Sequence, residues 1–280
     1  MKKETKEILP EWYKKMGKYN IRLGNDFDSL FGSILLRNIF KSPITEFYNF
    51  NTLYVSSNNT SIKEVVGVDM STKGKNFDNH VQKVYFNTKI NKESININNI
   101  LEIQAGGDEY FNKYNLSTTL LILSLYDVEL PKNEEALMLL LVIDSSWQSY
   151  HSPYKRDNAA CKKYLVEILE LPELYAVLER HTKEEFSAIK KKYNLNAVIK
   201  VNKDGKLETA MNLFYIWMAL GFHMRIDCNS FQLPEDTFGV TKQFDNRYMH
   251  RSRYLEITKL DKEIFSLAVT RKDWVSLSVC

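Results

Sequence analysis

The chain of 280 residues predicts an α/β fold, with a parallel-stranded sheet and flanking helices followed by a smaller C-terminal α+β domain. Two short apolar runs, Asn20–Leu23 and Val65–Val68, predict buried strands of the sheet, and an aspartate follows each run within three residues. Two hairpin patterns near the C-terminus predict the second domain. We therefore expect residues 1–195 to form the first domain and residues 196–280 the second.

The first half of the chain alternates between strand and helix patterns. Apolar residues at helical spacing from Leu30 to Ile39 predict a helix after the first strand. Residues 44–55, rich in Phe, Tyr and Thr, predict a second strand, and residues 83–90 are a further β-rich run. The Asn-rich residues 91–99 predict a loop.

The second half begins with helical patterns. Ser117 or Thr118 can cap a helix that continues through the apolar residues 120–125. Residues 131–134 start the next helix, whose apolar residues 136–143 are predicted to be buried. The later elements are predicted to be helices over 159–178 and 182–193 and hairpins over 197–211 and 265–279.

Composition restricts the class of protein. The chain is 44% hydrophobic and 26% charged, which is typical of a globular protein. No apolar run reaches the roughly 18 residues that cross a bilayer, and the charged start of the chain lacks the apolar segment of a signal peptide. We therefore expect a cytoplasmic protein with no membrane partner. Cys161, Cys228 and Cys280 lack any paired spacing, so we expect free thiols.

Two basic clusters contain aromatic residues, although the net charge of +3 does not by itself indicate nucleic acid. Basic side chains can neutralise phosphates while aromatic rings stack on bases, as single-strand binding requires. A solvated helix face or a surface for an acidic partner is the alternative interpretation. The first cluster is Tyr154, Lys155, Arg156, Lys162, Lys163 and Tyr164, and the second is Lys242, Phe244, Arg247, Tyr248, His250, Arg251, Arg253 and Tyr254. We predict that Arg247, His250, Arg251 and Arg253 bind substrate.

Acidic residues occur where predicted strands and a buried helix end. Several aspartates and a histidine are the ligand types that two hard divalent cations such as Mn²⁺ or Mg²⁺ prefer. Such a pair of cations can hold a phosphate and activate water for in-line attack. The predicted metal ligands are Asp26, Asp28, Asp69, Asp78, His80 and Asp144. Each has a structural alternative, because an aspartate can cap a helix or form a turn and a histidine can lie in the core.

The order of these residues resembles the DHH phosphoesterase superfamily, which includes RecJ-type exonucleases, short-oligonucleotide phosphodiesterases and manganese pyrophosphatases. Residues 24–30 are similar to its Asp-x-Asp motif after the first strand, and residues 66–69 are similar to its lone strand-end aspartate. Residues 77–80, Phe-Asp-Asn-His, resemble the Asp-His-His motif with Asn in place of the central His. Residues 140–146 resemble the aspartate that ends an apolar helix. The resemblance covers about residues 18 to 150.

The resemblance implies roles for individual residues. Asp26 would bind the first metal, Asp69 would bridge, and Asp28 and Asp144 would bind the second. Catalytic roles would fall to Asp69, Asn79 and His80. Asn79 occupies the position of the first, metal-binding His, so either Asn79 is a weak oxygen ligand, or a local shift lets His80 bind metal, or the site is degenerate.

Three functions from different classes fit the sequence. The first is a metal-dependent phosphodiesterase, with two Mn²⁺ or Mg²⁺ ions, that acts on single-stranded nucleic acid or short oligonucleotides. The second is a catalytically degenerate DHH-like scaffold that binds nucleic acid or protein. The third is a haloacid-dehalogenase-like phosphatase, in which Asp26 would be the nucleophile and Asp28 the acid.

Overall fold

The computed structural model describes residues 1–221, 233–259 and 262–280. It has a mixed α/β architecture in which helices flank a seven-stranded, mostly parallel sheet, with a small antiparallel sheet near the C-terminus. The predicted α/β class is therefore confirmed. The strands are β1 (Asn20–Leu23), β2 (Ile44–Tyr48), β3 (Thr52–Ser56), β4 (Val65–Val68), β5 (Asn76–Phe77), β6 (Ser94–Ile95), β7 (Ile199–Val201), β8 (Leu207–Thr209), β9 (Phe238–Gln243), β10 (Asp245–His250), β11 (Ile264–Arg271) and β12 (Trp274–Val279).

The large sheet has the strand order β6-β5-β4-β1-β2-β3-β9. The strands from β6 to β2 pair in parallel, while β3 and β9 pair antiparallel at one edge. The chain leaves β1 for β2 on one side and later returns to place β4 on the other side. The order therefore reverses between β1 and β4, and the crevice beyond the carboxyl ends of two such strands is where open α/β sheets bind ligands.

The helices are α1 (Lys3–Glu7), α2 (Phe27–Phe40), α3 (Ile97–Ile100), α4 (Thr118–Leu125), α5 (Glu134–Val142), α6 (Trp147–Tyr150), α7 (Lys155–Lys162), α8 (Pro172–Arg180), α9 (Lys183–Lys192), α10 (Leu213–Leu220) and α11 (Tyr254–Thr258). The predicted helix starts are confirmed where a cap residue marks them. Ser117 caps α4, Asn133 caps α5, and Thr182 caps α9 together with Glu185. Each helix in the described part of the chain is too short or too polar to cross a lipid bilayer.

Helix α2 packs closely on the centre of the sheet because Gly32 has no side chain. A Cβ atom there would lie 2.9 Å from Cγ1 of Val68 in β4 and 3.0 Å from Cδ1 of Ile122 in α4. Both neighbours are fully buried. This contact sets α2 and α4 side by side, so that their N-termini meet at the carboxyl edge of the sheet.

Four predicted elements differ from the structure. Residues 44–55 form the hairpin β2–β3, because the Asn49 side chain accepts hydrogen bonds from the amides of residues 51 and 52 and closes a turn. Residues 83–90 fold into turns and a single bridge rather than a strand. Residues 91–99 are not a loop throughout, since they contain β6 and the start of α3. Residues 159–178 do not form one helix, because Glu170 has φ of 55° and α8 begins anew at Pro172.

The C-terminal residues contribute strands to the large sheet, to the small three-stranded sheet and to a separate two-stranded sheet. The two predicted hairpins are confirmed as β7–β8 and β11–β12, and the small sheet has the order β10-β12-β11. Strand β9 joins the large sheet beside β3, and Phe238 packs in the same core cluster as Ile21. The domain boundary between residues 195 and 196 stays a prediction. Cys161 is buried and Cys280 is exposed, both as free thiols, and Cys228 lies outside the described residues.

Candidate metal centre

The acidic residues that follow the strands meet at one edge of the large sheet. Asp26 follows β1, Asp69 follows β4 and Asp78 follows β5. Because β1, β4 and β5 are parallel neighbours, their carboxyl ends lie side by side. Ser29 joins two of these ends, since its hydroxyl donates to the carbonyl of Val68 at 2.7 Å and accepts from the amide of Gly24 at 2.5 Å.

Asp26 and Asp28 occupy different environments at the start of α2. Asp26 is exposed and caps the helix, because its carboxylate accepts a hydrogen bond from the Ser29 amide at 3.0 Å. Asp28 is buried, with 3% of its surface exposed. Its two oxygens accept from the amides of Thr118 and Thr119, each at 2.7 Å, in the first turn of α4. The positive end of that helix therefore stabilises the Asp28 carboxylate.

Thr118 also connects Asp28 to Asp69. The Thr118 hydroxyl donates to Oδ1 of Asp69 at 2.7 Å, and both residues are buried. Asp69 and Asp144 have left-handed backbone conformations, with φ of 57° and 46°. Such conformations are uncommon for residues other than glycine and concentrate at functional sites. Each turn directs the chain away from its strand or helix at the position of the carboxylate.

A possible metal-binding cluster consists of Asp69, Asp78 and His80. Each offers one ligand atom, and these atoms lie within 4.8 Å of one another. Asp78 is fully buried and accepts five hydrogen bonds. Its Oδ1 accepts from Nδ1 of His80 at 2.7 Å and from the His80 amide. Its Oδ2 accepts from the side chains of Ser71, Gln82 and Asn96. The contact with Nδ1 fixes the orientation of the imidazole ring.

Asn79 contacts Asp144 from the other side of the cluster. The Asn79 amide nitrogen donates to Oδ2 of Asp144 at 2.8 Å and to the carbonyl of Leu116 at 3.0 Å. Asp144 lies at a kink after α5 and is exposed. The amide group therefore acts as a hydrogen-bond donor to Asp144.

The pKa values show how strongly these charges interact. Burial, followed by the nearby carboxylates of Asp144 and Asp26, raises the pKa of Asp28 to about 7. Burial and the same kind of repulsion raise the pKa of Asp69 well above its usual value. Partial burial disfavours protonation of His80, but Asp78 outweighs it and raises the pKa of His80 to about 9. Burial would raise the pKa of Asp78, yet His80 and the hydrogen bonds lower it. Several buried carboxylates at one point favour binding of cations or protons.

A cleft of about 820 Å³ opens beside Asn79, His80 and Asp144. The small sheet contributes Val269 and Thr270 to its wall. Aromatic and cationic side chains line the far side of the cleft, and they include Tyr110, Phe111, Lys113, Tyr154 and Lys183. The Lys113 ammonium lies 4.5 Å from the centre of the Tyr110 ring and 3.0 Å from its hydroxyl. The cleft therefore offers positive charge and ring faces next to the carboxylates.

The four residues predicted to bind substrate lie on β10 and the turn after it. Arg247 binds Asp245 at 2.6 Å, and Arg251 binds Asp273 at 3.0 Å while its guanidinium lies over the Tyr85 ring. His250 contacts Ser252 at 2.8 Å. Arg247 and Arg253 line a second cavity of about 440 Å³, whose lining residues all differ from those of the cleft. Their substrate role stays a prediction.

Sequence reasoning missed the residues that hold the carboxylates in place. Thr118 and Thr119 appeared in the sequence only as a helix start, yet they contact Asp28 and Asp69. Asn96 follows the two-residue strand β6, which is too short to produce an alternating pattern. The signal that remained in the sequence was the polar run of residues 117–119 before an apolar helix.

No protein-family model matches the chain, and neither a curated protein nor a solved structure matches it. The fold and the carboxylate site define a class of α/β protein with a candidate metal centre at a strand-order switch. The function must therefore be argued from the residues of that site.

Proposed function

We propose that the protein is a metal-dependent phosphodiesterase of the DHH type that hydrolyses single-stranded nucleic acid or short oligonucleotides. The observation that carries this proposal is the convergence of Asp26, Asp69 and Asp78 at neighbouring strand ends, with Asp28, His80 and Asp144 beside them. This convergence is what the four sequence motifs of the superfamily require. It supports the resemblance because the motifs are separated by up to 116 residues along the chain, from Asp28 to Asp144.

The donor set fits hard divalent cations such as Mn²⁺ or Mg²⁺. Carboxylate oxygens supplemented by an imidazole suit these ions, and burial together with the neighbouring carboxylates raises the pKa values of Asp28 and Asp69, which a bound cation would counteract. We assign Asp26, Asp28, Asp69, Asp144 and His80 as the residues that would hold two ions. Bound divalent cations supply Lewis-acid polarisation of a phosphodiester and of water.

Asp78 fits better as a positioning residue than as a ligand. Its two oxygens already accept five hydrogen bonds, and one of them holds Nδ1 of His80. That contact leaves the other ring nitrogen of His80, Nε2, to face a ligand. In this arrangement Asp78 orients the imidazole, and the buried residues 71, 82 and 96 hold Asp78.

The cleft supplies the binding surface for the substrate. Lys113 and Lys183 can contact phosphates, and the rings of Phe111 and Tyr154 can contact bases. A volume of about 820 Å³ is large enough for a ligand of several linked groups. We therefore place the scissile phosphate at the end of the cleft that His80 and Asp144 line.

Manganese-dependent hydrolysis of a fluorescent oligonucleotide tests this proposal. Asp69→Asn should reduce the rate by about 100-fold or more, because it removes a carboxylate charge at the point where β4 ends. Asp127→Asn is the matched control, since Asp127 also has a left-handed backbone, with φ of 50°, but lies on the surface beside Lys6. The proposal fails if pure wild-type protein hydrolyses no phosphodiester in Mn²⁺ over a broad substrate panel, or if the two variants behave alike.

A degenerate scaffold is the second candidate, and the Asn79 contact favours it. Asn79 takes the position of the first histidine of the superfamily motif, and its amide donates to Asp144 rather than offering an acceptor. Calorimetric titration with Mn²⁺ distinguishes the two functions. A scaffold should bind no Mn²⁺, whereas an enzyme should bind it with a Kd of about 1 μM or tighter.

A further inference from the structure

The outer face of the small sheet carries an exposed group of rings, Tyr248, His250 and Trp274, which we call the aromatic shelf. His250 lies opposite Trp274 across the β10–β12 pair, and Tyr248 lies two residues further along the same face. The rings of Tyr248 and Trp274 stack with centroids 5.1 Å apart and planes inclined by 15°. The His250 ring meets Trp274 edge-on at 5.9 Å.

The shelf is not needed to close the core of the small sheet. The opposite face packs Val275, Leu277 and Val279 into a buried cluster with Tyr254. Cross-strand stacking explains why Tyr248 and Trp274 contact each other. It leaves Tyr248 54% exposed and Trp274 39% exposed. Large rings exposed together in this way are typical of binding surfaces.

Cationic side chains lie near the shelf, although Arg247 is on the opposite face of β10, where it pairs with Asp245. Arg247 and Arg253 line a cavity together with Tyr248. The pair between Arg253 and Glu256 is loose, at 4.0 Å between two side chains that are each at least 70% exposed. Residues 245–259 and 271–274 together contain six Lys and Arg against three Asp and Glu, an excess equal to the +3 of the whole chain. This excess favours an anionic partner.

The shelf is continuous with the cleft that contains the carboxylate site. Thr270 lines the cleft, and its hydroxyl donates to the carbonyl of Trp274 at 3.4 Å. Lys272 lies 5.3 Å from the centre of the ring of Phe111, which also lines the cleft. The turn between β11 and β12 therefore connects the two surfaces.

We propose that the aromatic shelf binds bases of single-stranded nucleic acid, with Arg253 contacting the phosphates. Stacking on exposed rings beside cations is the chemistry of sequence-tolerant single-strand binding. The link to the cleft rests on the proposed function, but binding to the shelf does not require metal or hydrolysis. A protein partner would also use exposed rings, yet the local positive charge and the stacked rings favour nucleic acid.

Fluorescence anisotropy with labelled single strands of about 15 nucleotides, one DNA and one RNA, tests the shelf in EDTA. Tyr248→Ala should weaken binding about 5-fold to 100-fold, and Tyr248→Phe should retain it, because stacking needs the ring and not the hydroxyl. Tyr215→Ala is the matched control, since Tyr215 is 63% exposed on α10. Arg253→Glu should make the affinity depend less steeply on salt concentration, and the change in slope should correspond to about one phosphate contact or more.

Three results would overturn the inference. One is equal affinity for wild type and Tyr248→Ala, with thermal melts showing both folded. Another is an equal loss in Tyr215→Ala, and the third is binding of a peptide library but not of either strand. A different result would contradict the proposed function: wild type would show no manganese-dependent hydrolysis but would still bind single strands in EDTA. Conversely, if wild type hydrolyses short oligonucleotides and yet binds long strands no more tightly than Tyr248→Ala does, that outcome supports the proposed activity and contradicts binding at the shelf.

Discussion

Binding of Mn²⁺ to the carboxylate site should release protons, and the number released reports the ligand set. Asp28 titrates near pH 7 and His80 near pH 9, so both carry a proton at pH 6 in the absence of a cation. A carboxylate or imidazole must lose that proton in order to coordinate. Coordination by both residues therefore releases at least about two protons at pH 6, and coordination by Asp69, whose pKa is also raised, adds to that number.

The magnitude follows from these two titrations. Each displaced proton weakens the apparent affinity about tenfold for every unit by which the pH falls below the pKa of the group. Two protons weaken it about 100-fold between pH 6 and pH 5. The raised pKa of Asp69 makes the dependence steeper still. The direction of the pH dependence is fixed, because protons and the cation compete for the same atoms. The affinity for the cation must therefore rise with the pH.

Isothermal titration calorimetry in two buffers of different ionisation enthalpy measures the protons directly. Release of at least about two protons at pH 6 and less release as the pH approaches 9 is the expected result. Release of only one proton would place either Asp28 or His80 outside the ligand set. An affinity that does not change with pH would refute the reasoning, because the cation would then bind carboxylates that are already ionised. Asp127→Asn should release the same number of protons as wild type.

Two predictions concern the packing that brings the strand ends together. Ser29→Ala should lower the free energy of unfolding by about 1 to 3 kcal/mol, because it leaves the amide of Gly24 and the carbonyl of Val68 without the serine hydroxyl. Ser33→Ala in the same helix is its control and should change stability by less than about 0.5 kcal/mol, since the buried Ser33 hydroxyl has no hydrogen-bond partner among the described residues. Gly32→Val should cost at least about 2 kcal/mol through overpacking, whereas a valine at the exposed Gly239, which has nothing within 4 Å of an added Cβ, should be tolerated. Urea unfolding measures all four variants, and equal effects within either pair would contradict the packing argument.

The sequence predicted the parts of the site that follow a strong local pattern. Asp69 ends a continuous apolar strand and Asp144 ends an apolar helix, so both could be found without knowing any contact. The cap at Ser117 and the start of a helix at Thr182 were predicted for the same reason, because both precede helices with clear patterns. Local patterns therefore located the α/β elements and the acidic residues, but not the partners of those residues.

The contacts that give each aspartate its role could not be predicted, because they join distant residues through short elements. The strands β5 and β6 contain two residues each, so neither the position of Asp78 after a strand nor that of Asn96 could be derived from alternation. The sequence therefore grouped Asp78 with the metal ligands. Its five hydrogen bonds favour a role in holding His80. Asn79, in contrast, donates to Asp144 and offers it no acceptor. Under the proposed resemblance, Asn79 stands where a histidine ligand would lie, while His80 beside Asp69 offers an imidazole in its place. The site can bind a cation only if the imidazole of His80 serves as the ligand that Asn79 does not provide. The number of protons released at pH 6 tests this.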